Sequence, residues 1–409
     1  MWRLLAVLTV LAGPALAQPS PEQMLRNMDT DGDGRISRQE WRGPPGRFDA
    51  IDANRDGYIT LEELQAARQA GPPATSASVC DIARQASADP ELWIDTQTHL
   101  RPGPQRAFGA AIANGLRTMD GAKIAATIVM PQPFPDEESG GRTVYDSADF
   151  AGVARAHPCR FAFLGGNGLN QMLARIPPGE VTEAQRVAFR REAQAVLAQG
   201  AAGFGQISLL HLARFPGHPF QETAPDHPMM LLLAEIAGQA GKPINVHMQI
   251  YERAGPPPPY YRGQNPPSIQ ANLATFERLL AHDRRARIVL ANFGEDPSGQ
   301  FTMALARQLL TAHPNLHFIA TIMPARPGEP ASQLAPFGPG GLSREWLALA
   351  SAFPERFTVG SLSFHAGMEG ARAPNPADIP RTRELLARLP PELRRKIAID
   401  NALALYGLR

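Results

Sequence analysis

Short apolar runs alternate with longer amphipathic stretches beyond residue 80, and this alternation restricts the fold more than any other feature. The eight apolar runs lie at residues 92–98, 124–130, 161–165, 203–209, 244–248, 288–292, 318–323 and 357–362. The clearest helical patterns between them, with apolar side chains three or four positions apart, lie at residues 183–197, 229–239, 269–280 and 301–310. Eight strands that alternate with helices predict a (β/α)8 TIM barrel of the α/β class.

A doubly wound open sheet is the competing α/β architecture. That fold usually carries a glycine-rich phosphate-binding turn directly after its first strand. Residues 99–103, which follow the first apolar run, read His-Leu-Arg-Pro-Gly and supply no such turn. The sequence therefore favours the closed barrel, which we place at residues 80–409.

Two segments near the N-terminus, residues 29–40 and 52–63, match the EF-hand calcium loop at every ligand position. Calcium takes six to eight oxygen ligands, and the EF-hand spacing supplies them from loop positions 1, 3, 5, 7 and 12. The predicted ligands are Asp29, Asp31, Asp33, Arg35, Glu40, Asp52, Asn54, Asp56, Tyr58 and Glu63. The two residues at position 7 offer only their backbone carbonyls. We expect two calcium ions per chain.

The two loops also resemble each other outside the ligand positions. Gly34 and Gly57 stand at position 6, where the chain turns sharply and a Cβ atom would obstruct it. Ile36 and Ile59 occupy the same later position, where paired EF hands form a short two-stranded contact. The pattern predicts a small all-α EF-hand pair at residues 20–68, followed by a linker at 69–79. Acidic surface turns are the alternative, and two complete matches argue against it.

The first seventeen residues have the organisation of a secretory signal peptide. Arg3 precedes an apolar run at residues 4–11, and Ala15 and Ala17 form an Ala-x-Ala cleavage site. The run is too short to span a bilayer, and no later segment reads as a membrane helix. We expect cleavage after Ala17 and a periplasmic or secreted protein, with an uncleaved anchor as the alternative. A calcium-rich compartment of this kind favours a structural role for the bound calcium, although the sequence leaves a signalling role open.

Charge and cysteine content restrict the partners. The chain has 40 basic and 39 acidic residues and no basic run, which argues against nucleic acid or anionic lipid as a partner. An ion or a small molecule in the barrel mouth is the expected ligand.

An oxidising compartment permits a disulfide between Cys80 and Cys159, and two unpaired buried thiols are the open alternative.

Three motifs in the barrel region carry a resemblance to a known family. They are Trp-Ile-Asp-Thr-Gln-Thr-His at residues 93–99, Pro-Ile-Asn-Val-His-Met at 243–248, and Lys-Ile-Ala-Ile-Asp-Asn-Ala-Leu-Ala-Leu-Tyr-Gly-Leu at 396–408. Together they resemble the amidohydrolase superfamily, in particular the amidohydrolase-2 group of hydrolases and decarboxylases, over about residues 90–408. The resemblance implies a divalent metal at the C-terminal ends of the barrel strands, where it activates water or polarises a substrate oxygen.

The resemblance also implies ligand positions, and most of them hold other residues in this chain. His99 after strand one and His247 on strand five match the family and are the candidate catalytic residues. The remaining family ligands are the first His of the strand-one pair, an acidic residue or modified Lys on strand four, a His on strand six and an Asp after strand eight. In their places stand Gln97, Gln206, Asn292 and Leu362.

Amides are poor zinc ligands, and a leucine neither binds metal nor accepts a proton from water. We therefore expect a barrel whose divalent-metal site is largely replaced, as in a pseudoenzyme used for binding. Two alternatives stay open: a metal-free or altered hydrolase or decarboxylase that uses His99 and His247, acting on a small carboxylic or cyclic substrate, and a metal enzyme with other ligands. The other candidates near strand ends are Asp95, His211, Glu222, Glu295 and His365. A structural role is the competing interpretation for Asp95 and the two histidines.

Residues 256–261, which read Pro-Pro-Pro-Pro-Tyr-Tyr, predict a stiff extended loop after strand five. It either covers the barrel mouth, binds a partner or is simply a surface loop.

Overall fold

The structure is a computed structural model that describes residues 20–42, 48, 51–52, 54, 56–69, 80–102, 107–132, 145–322, 329–338, 340–366 and 378–408. The chain divides into two compact units, Met1–Val79 and Cys80–Arg409. The predicted signal peptide, at residues 1–17, lies outside the described residues, as do residues 70–79 of the predicted linker.

The N-terminal unit contains helices at Pro21–Met28 and Leu61–Gln69 and short strands at Arg35–Ser37 and Tyr58–Thr60. The two strands pair antiparallel, with Ile36 directly opposite Ile59, and this confirms the predicted contact between the calcium loops.

A small apolar core holds this unit together. Both isoleucines of the strand pair are fully buried, and Phe48, Ile51 and Leu64 pack with them. Burial of one such side chain stabilises a fold by roughly 1.5–3 kcal/mol. The strand pair therefore contributes apolar packing to both calcium loops as well as backbone hydrogen bonds.

The second unit is a closed barrel of eight parallel strands. Its strands are β1 (Trp93–Arg101), β2 (Ile124–Val129), β3 (Phe161–Gly165), β4 (Gly203–Ser208), β5 (Pro243–His247), β6 (Arg287–Phe293), β7 (Leu316–Ala320) and β8 (two segments, Phe357–Val359 and Ser363–Ala366). Each strand pairs with its neighbours in chain order. The structure confirms the (β/α)8 fold and all eight apolar runs as strand positions.

Helices connect the strands and cover the outside of the barrel. They are Gly109–Ala122, Ser147–Ala156, Asn167–Arg175, Glu183–Ala198, Pro228–Ala240, Leu273–His282, Met303–Ala312, Arg344–Ala352 and Asp378–Arg388, and Ile82–Ala88 precedes the barrel. The chain ends in Pro391–Arg395, a π-helical turn at Lys396–Asp400, and Asn401–Tyr406. All four amphipathic patterns are helices, although the third begins at Leu273 rather than at residue 269.

The last strand differs from the prediction of one continuous strand at residues 357–362. Its first segment pairs with β7 and its second with β1, so the barrel closes through an interrupted strand. At the interruption, Leu362 adopts a left-handed backbone conformation with φ of 52° and donates its N–H to the carbonyl of Gln97 at 2.9 Å. A Cβ atom on Gly360 would lie 2.6 Å from the Gln97 Cβ atom, so the approach requires glycine.

The two cysteines form a disulfide at the entrance to the barrel unit. Cys80 and Cys159 are bonded, with their Cα atoms 5.0 Å apart, and this decides between the two alternatives. In the described part of the chain, no helix combines the length and apolar character needed to cross a bilayer.

We predict that Cys80→Ser together with Cys159→Ser lowers the free energy of unfolding of the barrel unit by about 2–4 kcal/mol, because the cross-link closes a long loop in the unfolded chain. The sequence separation of the two cysteines is 79. Urea unfolding with and without dithiothreitol measures the effect. The reductant should destabilise the wild-type chain and leave the double variant unchanged, and equal sensitivity in both would contradict the assignment.

Candidate functional sites

The first calcium loop is folded around its own carboxylates. Asp29 accepts backbone N–H groups from Gly32 at 2.7 Å and from Gly34 at 2.9 Å, one on each oxygen. Oxygens of Asp29, Asp31 and Glu40 lie within 4.8 Å of one another, which is close enough for one cation to contact all three. An all-oxygen donor set of this kind fits calcium.

The last residue of each loop is held in the same way. Glu40 accepts the backbone N–H and hydroxyl of Ser37, both at 2.8 Å, and the N–H of Thr30 at 2.7 Å. These hydrogen bonds lower the pKa of Glu40 to about 2, so the carboxylate is ionised at neutral pH. In the second loop, Glu63 accepts the N–H and hydroxyl of Thr60, both at 2.9 Å.

The second loop repeats the arrangement of the first. Asp52 accepts the backbone N–H groups of Asp56 at 3.2 Å and Gly57 at 3.1 Å. Asn54 accepts the N–H of Asp56 at 2.9 Å. The first loop brings oxygens of positions 1, 3 and 12 together, and the second loop repeats its backbone hydrogen bonds to the side chains at positions 1, 3 and 5.

In the barrel unit, the C-terminal ends of β1, β5 and β6 bring together three of the residues singled out in the sequence. The Gln97 Nε2 atom donates to the Asn292 Oδ1 atom at 2.9 Å, and the Asn292 Nδ2 atom lies 3.0 Å from the His247 Nδ1 atom. On the other side, the Thr321 hydroxyl donates to the Gln97 Oε1 atom at 3.3 Å. Gln97, Asn292 and His247, which stand where the family resemblance implies metal ligands, are thus hydrogen-bonded to one another.

This chain of hydrogen bonds continues outward through two more imidazoles. The His247 Nε2 atom lies 3.1 Å from the His211 Nδ1 atom, and the His211 Nε2 atom lies 3.3 Å from the His218 Nδ1 atom. The backbone N–H of Arg214 also points to the His218 Nδ1 atom, at 3.3 Å. His247 and His211 are buried, whereas His218 is half-buried. The three rings form a row from the barrel interior toward the surface.

The protein environment keeps the inner rings uncharged. Burial lowers the pKa of His247 to about 4. Burial, reinforced by the neighbouring His247 and His218, lowers the pKa of His211 well below its usual value. Both rings are neutral imidazoles at physiological pH, and each carries one proton that must be placed on one of its two nitrogens.

A backbone donor at the end of the row fixes where those protons lie. The Arg214 N–H can only donate, so the His218 Nδ1 atom accepts and the His211 Nε2 atom carries a hydrogen. The His211 Nδ1 atom then accepts from His247 Nε2–H, and the His247 Nδ1 atom accepts from Asn292. Assigned from the network in this way, all three rings are Nε2–H tautomers and the chain of hydrogen bonds has a single direction.

A neighbouring amide also contacts His247. The Gln249 Nε2 atom as placed lies 3.2 Å from the His247 Nε2 atom, which sets two donors against each other in this assignment. Its Oε1 atom is buried without a partner. Turning the Gln249 amide places the oxygen beside His247 Nε2–H, which it then shares with the His211 Nδ1 atom, and leaves the NH2 group in the position without a partner.

His99 lies apart from the row and is held differently. Its Nδ1 atom lies 2.9 Å from the carbonyl oxygen of Met130, which can only accept, so the Nε2 atom carries the lone pair. The ring stacks on Phe364 with centroids 4.6 Å apart. Burial lowers the pKa of His99 to about 4, and the ring is neutral.

The carboxylates considered as alternative ligands have other partners. Both oxygens of Glu295 accept from the guanidinium of Arg214 at 2.7 Å. Although burial opposes it, this carboxylate raises the pKa of Arg214. Glu222 lies in a short hairpin at Gln221–Glu222 and is exposed.

Asp95 pins the interruption of β8. It accepts the backbone N–H of Ser361 at 2.9 Å, the hydroxyl of Ser361, and the N–H of Gln97 at 3.2 Å. Burial raises the pKa of Asp95 to about 6. These contacts support the structural interpretation of Asp95.

His365 points away from the mouth. A Cβ atom on Gly115, in the helix Gly109–Ala122, would lie 3.5 Å from its ring. His365 therefore packs against the outer helix layer, and the structural interpretation fits it as well. His211, in contrast, belongs to the row described above.

Gln206 and Leu362, the two predicted pocket residues outside the hydrogen-bond chain, contribute through their backbone more than through their side chains. The backbone carbonyl of Gln206 and the N–H of Ser208 bond the side chain of Asn170, and the Gln206 Nε2 atom is buried without a partner. Asn292, with φ of 61°, shares the left-handed conformation of Leu362. Such backbone outliers in residues other than glycine are uncommon and cluster at ligand sites and other functional positions.

The loop after β5 is fixed beside the row. The Arg214 guanidinium lies 5.3 Å from the centre of the Tyr261 ring, and the N–H of Arg262 donates to the Arg214 carbonyl at 3.0 Å. The Asn265 side chain bonds the backbone of Ala213 twice, at 2.8 Å. The tyrosine end of the predicted loop therefore packs over the segment that carries the row.

The described residues of the barrel mouth contain no converging group of metal-ligand atoms. Three or more His, Cys, Asp or Glu ligand atoms converge within 4.8 Å in one place in the described ranges, which is the first calcium loop. His247, His211 and His218 stand in a row, and a row does not place three nitrogens around one centre. Zinc sites need such convergence.

Sequence reasoning did not find His218, Arg214, Gln249 or Thr321. The spacing of His211 and His218 within one loop was the available signal, but only the folded loop shows that the two rings meet.

A family model matches the N-terminal unit. Residues 22–43 and 47–66 match the family model described as EF hand, and the N-terminal unit is an EF-hand pair of the calcium-binding type. A transaldolase from Thermosynechococcus vestitus is 43% identical over 56 residues, 14% of either chain. A transaldolase from Prochlorococcus marinus is 36% identical over 70 residues, 17% of this chain and 18% of that protein. This chain thus spans less than a fifth of these curated relatives.

Several solved structures show similarity to this chain. An uncharacterized TIM-barrel protein from Bordetella bronchiseptica is 17% identical and covers 77% of this chain and 98% of its own, with a TM-score of 0.46. A 2,6-dihydroxybenzoate decarboxylase from Rhizobium is 13% identical with the same coverage and a TM-score of 0.43. Amidohydrolase 2 from Bifidobacterium longum subsp. infantis is 10% identical, covers 78% and 99%, and has a TM-score of 0.38. Similarities at this level assign no chemistry to this chain.

We predict that Asp95→Asn gains stability over the wild type as the pH rises. A buried carboxyl whose pKa is raised from 3.8 to about 6 stabilises the fold below pH 3.8 and loses that contribution as the pH rises through 6. The difference in unfolding free energy should grow between pH 4 and pH 7, toward about 3 kcal/mol. Urea unfolding at several pH values tests this, with Asp120→Asn as an exposed control. A constant difference would contradict the burial argument.

We predict that nitrogen-15 NMR of the histidine side chains at pH 6 finds His247 and His211 as neutral Nε2–H tautomers and His99 as the neutral Nδ1–H tautomer. The directed hydrogen-bond chain and the Met130 carbonyl impose this pattern. Asn292→Leu should broaden the distribution for His247 and leave His99 unchanged. An Nδ1–H tautomer at His247 in the wild type would refute the proposed direction.

Proposed function

We propose that the protein is an exported calcium-binding protein whose barrel binds a small molecule and does not carry out divalent-metal hydrolysis. One observation carries the proposal. The side chains at the strand ends, which would have to hold the metal, are hydrogen-bonded to one another in a single directed chain.

The lone pair of His247 is the strongest part of this case. A metal needs a free lone pair on the imidazole, and the one on the His247 Nδ1 atom accepts from Asn292 at 3.0 Å. Its Nε2 atom donates to His211 at 3.1 Å. A metal at this ring would have to break one of these buried hydrogen bonds, and each such loss leaves a polar group without a partner at a cost of about 1–3 kcal/mol.

The scarcity of free negative charge around the barrel mouth also argues against a bound divalent metal. Gln97 and Asn292 are neutral, and the nearby carboxylates of Asp95 and Glu295 are bonded to Ser361 and Arg214. A site without a free carboxylate does not compensate a doubly charged ion. Leu362, in place of an acidic residue, cannot take a proton from water.

Export is the second part of the proposal. It rests on the signal-peptide pattern of residues 1–17 and on the Cys80–Cys159 disulfide, since disulfides persist in oxidising compartments. A compartment rich in calcium keeps EF-hand loops occupied, and the two ions then act as parts of the fold.

A metal-free acid–base enzyme is the second candidate, and His99 favours it. The Met130 carbonyl fixes its tautomer so that the lone pair lies on the Nε2 atom, as a general base requires. Hydrolysis or decarboxylation that survives 1,10-phenanthroline in calcium buffer and disappears in His99→Gln would favour this candidate over a binding barrel.

We predict that protein purified without chelators contains about two calcium ions per chain and little zinc, manganese or iron. The two EF-hand loops offer oxygen ligands for calcium, whereas the barrel mouth offers amides and occupied imidazoles. Elemental analysis by inductively coupled plasma mass spectrometry measures both.

The matched variants separate the two units. Glu40→Gln with Glu63→Gln should remove the calcium, and His99→Ala with His247→Ala should leave the metal content unchanged. One equivalent of a transition metal that vanishes in the histidine variant would overturn the proposal.

A further inference from the structure

Arg35 stands at position 7 of the first calcium loop, where the ligand is the backbone carbonyl and the side chain has no assigned role. The side chain is 45% exposed, but its guanidinium lies against two neighbouring side chains. Its Nη2 atom lies 3.0 Å from the Oδ2 atom of Asp33, and its centre lies 4.3 Å from the centre of the Tyr58 ring. Arg35 thus connects a predicted ligand of the first loop with the corresponding position 7 of the second.

The pairing of the two short strands between the loops explains why Arg35 lies against Tyr58. Arg35 is opposite Thr60 and Tyr58 is opposite Ser37, so the two position-7 residues are diagonal neighbours across the strand pair. Long side chains on one face of an antiparallel pair reach each other at this separation. Stacking on the Tyr58 ring holds the guanidinium beside Asp33.

The contact places a positive charge on the carboxylate of a predicted calcium ligand. The Oδ1 atom of Asp33 accepts the backbone N–H of Arg35 at 2.9 Å, and its Oδ2 atom accepts from the Arg35 guanidinium at 3.0 Å. Calcium that binds Asp33 therefore competes with the guanidinium for the negative charge of this carboxylate.

The second loop provides an internal comparison. Its residue at position 5 is Asp56, which also accepts the backbone N–H of position 7, Tyr58, at 2.9 Å. The Oδ2 atom of Asp56 is contacted by the Nδ2 atom of Asn54 at 3.0 Å, a neutral amide. An amide competes with a divalent cation less than a guanidinium does, because hydrogen bonds between charged groups are the stronger ones.

We infer that Arg35 sets the calcium affinity of the first loop by competing with the ion for Asp33, with Tyr58 as the residue that holds it in place. The inference rests on the proposed calcium binding and adds a specificity-determining residue to it. The first loop thereby binds calcium more weakly than its four carboxylates alone would.

Calcium titration calorimetry of the full chain tests the inference in a Glu63→Gln background, where only the first loop binds. Arg35→Met should tighten calcium binding about two- to fivefold, the range that exposed ion pairs support. Tyr58→Leu should produce a smaller increase, because the guanidinium loses its platform but keeps its charge. Arg26→Met, on the exposed face of the first helix, removes the same charge away from the ligands and serves as the control.

The outcomes separate the inference from the function on which it rests. Unchanged or weaker binding in Arg35→Met overturns the inference, and so does an equal gain in Arg26→Met, which would make the effect one of general charge. Calcium binding by the parent protein with these results leaves the proposed function in place. Absence of any calcium binding by the parent protein overturns both.

Discussion

Gln97 is the residue on which both the closure of the barrel and the arrangement of its mouth depend. Its backbone carbonyl accepts the N–H of Leu362 at 2.9 Å and so connects β1 with the interrupted β8. Its side chain accepts from Thr321 and donates to Asn292 at 2.9 Å, which begins the directed chain of hydrogen bonds through the histidines. A side-chain amide can do this because it carries an acceptor oxygen and a donor NH2 group on the same carbon atom. Fold closure and the uncharged character of the mouth therefore share one residue.

The sequence predicted the local features well, because strands, helices and ion loops are encoded in short patterns. The eight strands, four helices and the Ile36–Ile59 pairing follow from periodicity and spacing. The interruption of β8 did not follow, since it depends on Asp95 of the neighbouring strand β1 bonding Ser361. The row of imidazoles did not follow either, because His218 reaches His211 only when the loop after β4 is folded. Both depend on tertiary contacts that no window of sequence contains.

The two units handle charge in opposite ways. The calcium loops concentrate carboxylates and hold them with backbone N–H groups, an arrangement that favours binding of a cation. The barrel mouth pairs Glu295 with Arg214, bonds Asp95 to Ser361, and keeps the imidazoles of His247 and His211 neutral through burial. A divalent ion has favourable partners in the first unit and would displace existing hydrogen bonds in the second.

The central claim is that the barrel mouth keeps its hydrogen-bond chain and holds no transition metal. A crystal structure of the calcium-loaded protein equilibrated with excess zinc, with anomalous data at the zinc edge, tests this most directly. We expect no anomalous peak between His99 and His247, with Asn292 still bonded to His247. A zinc ion bound to both imidazoles, with the Asn292 side chain displaced, would contradict it.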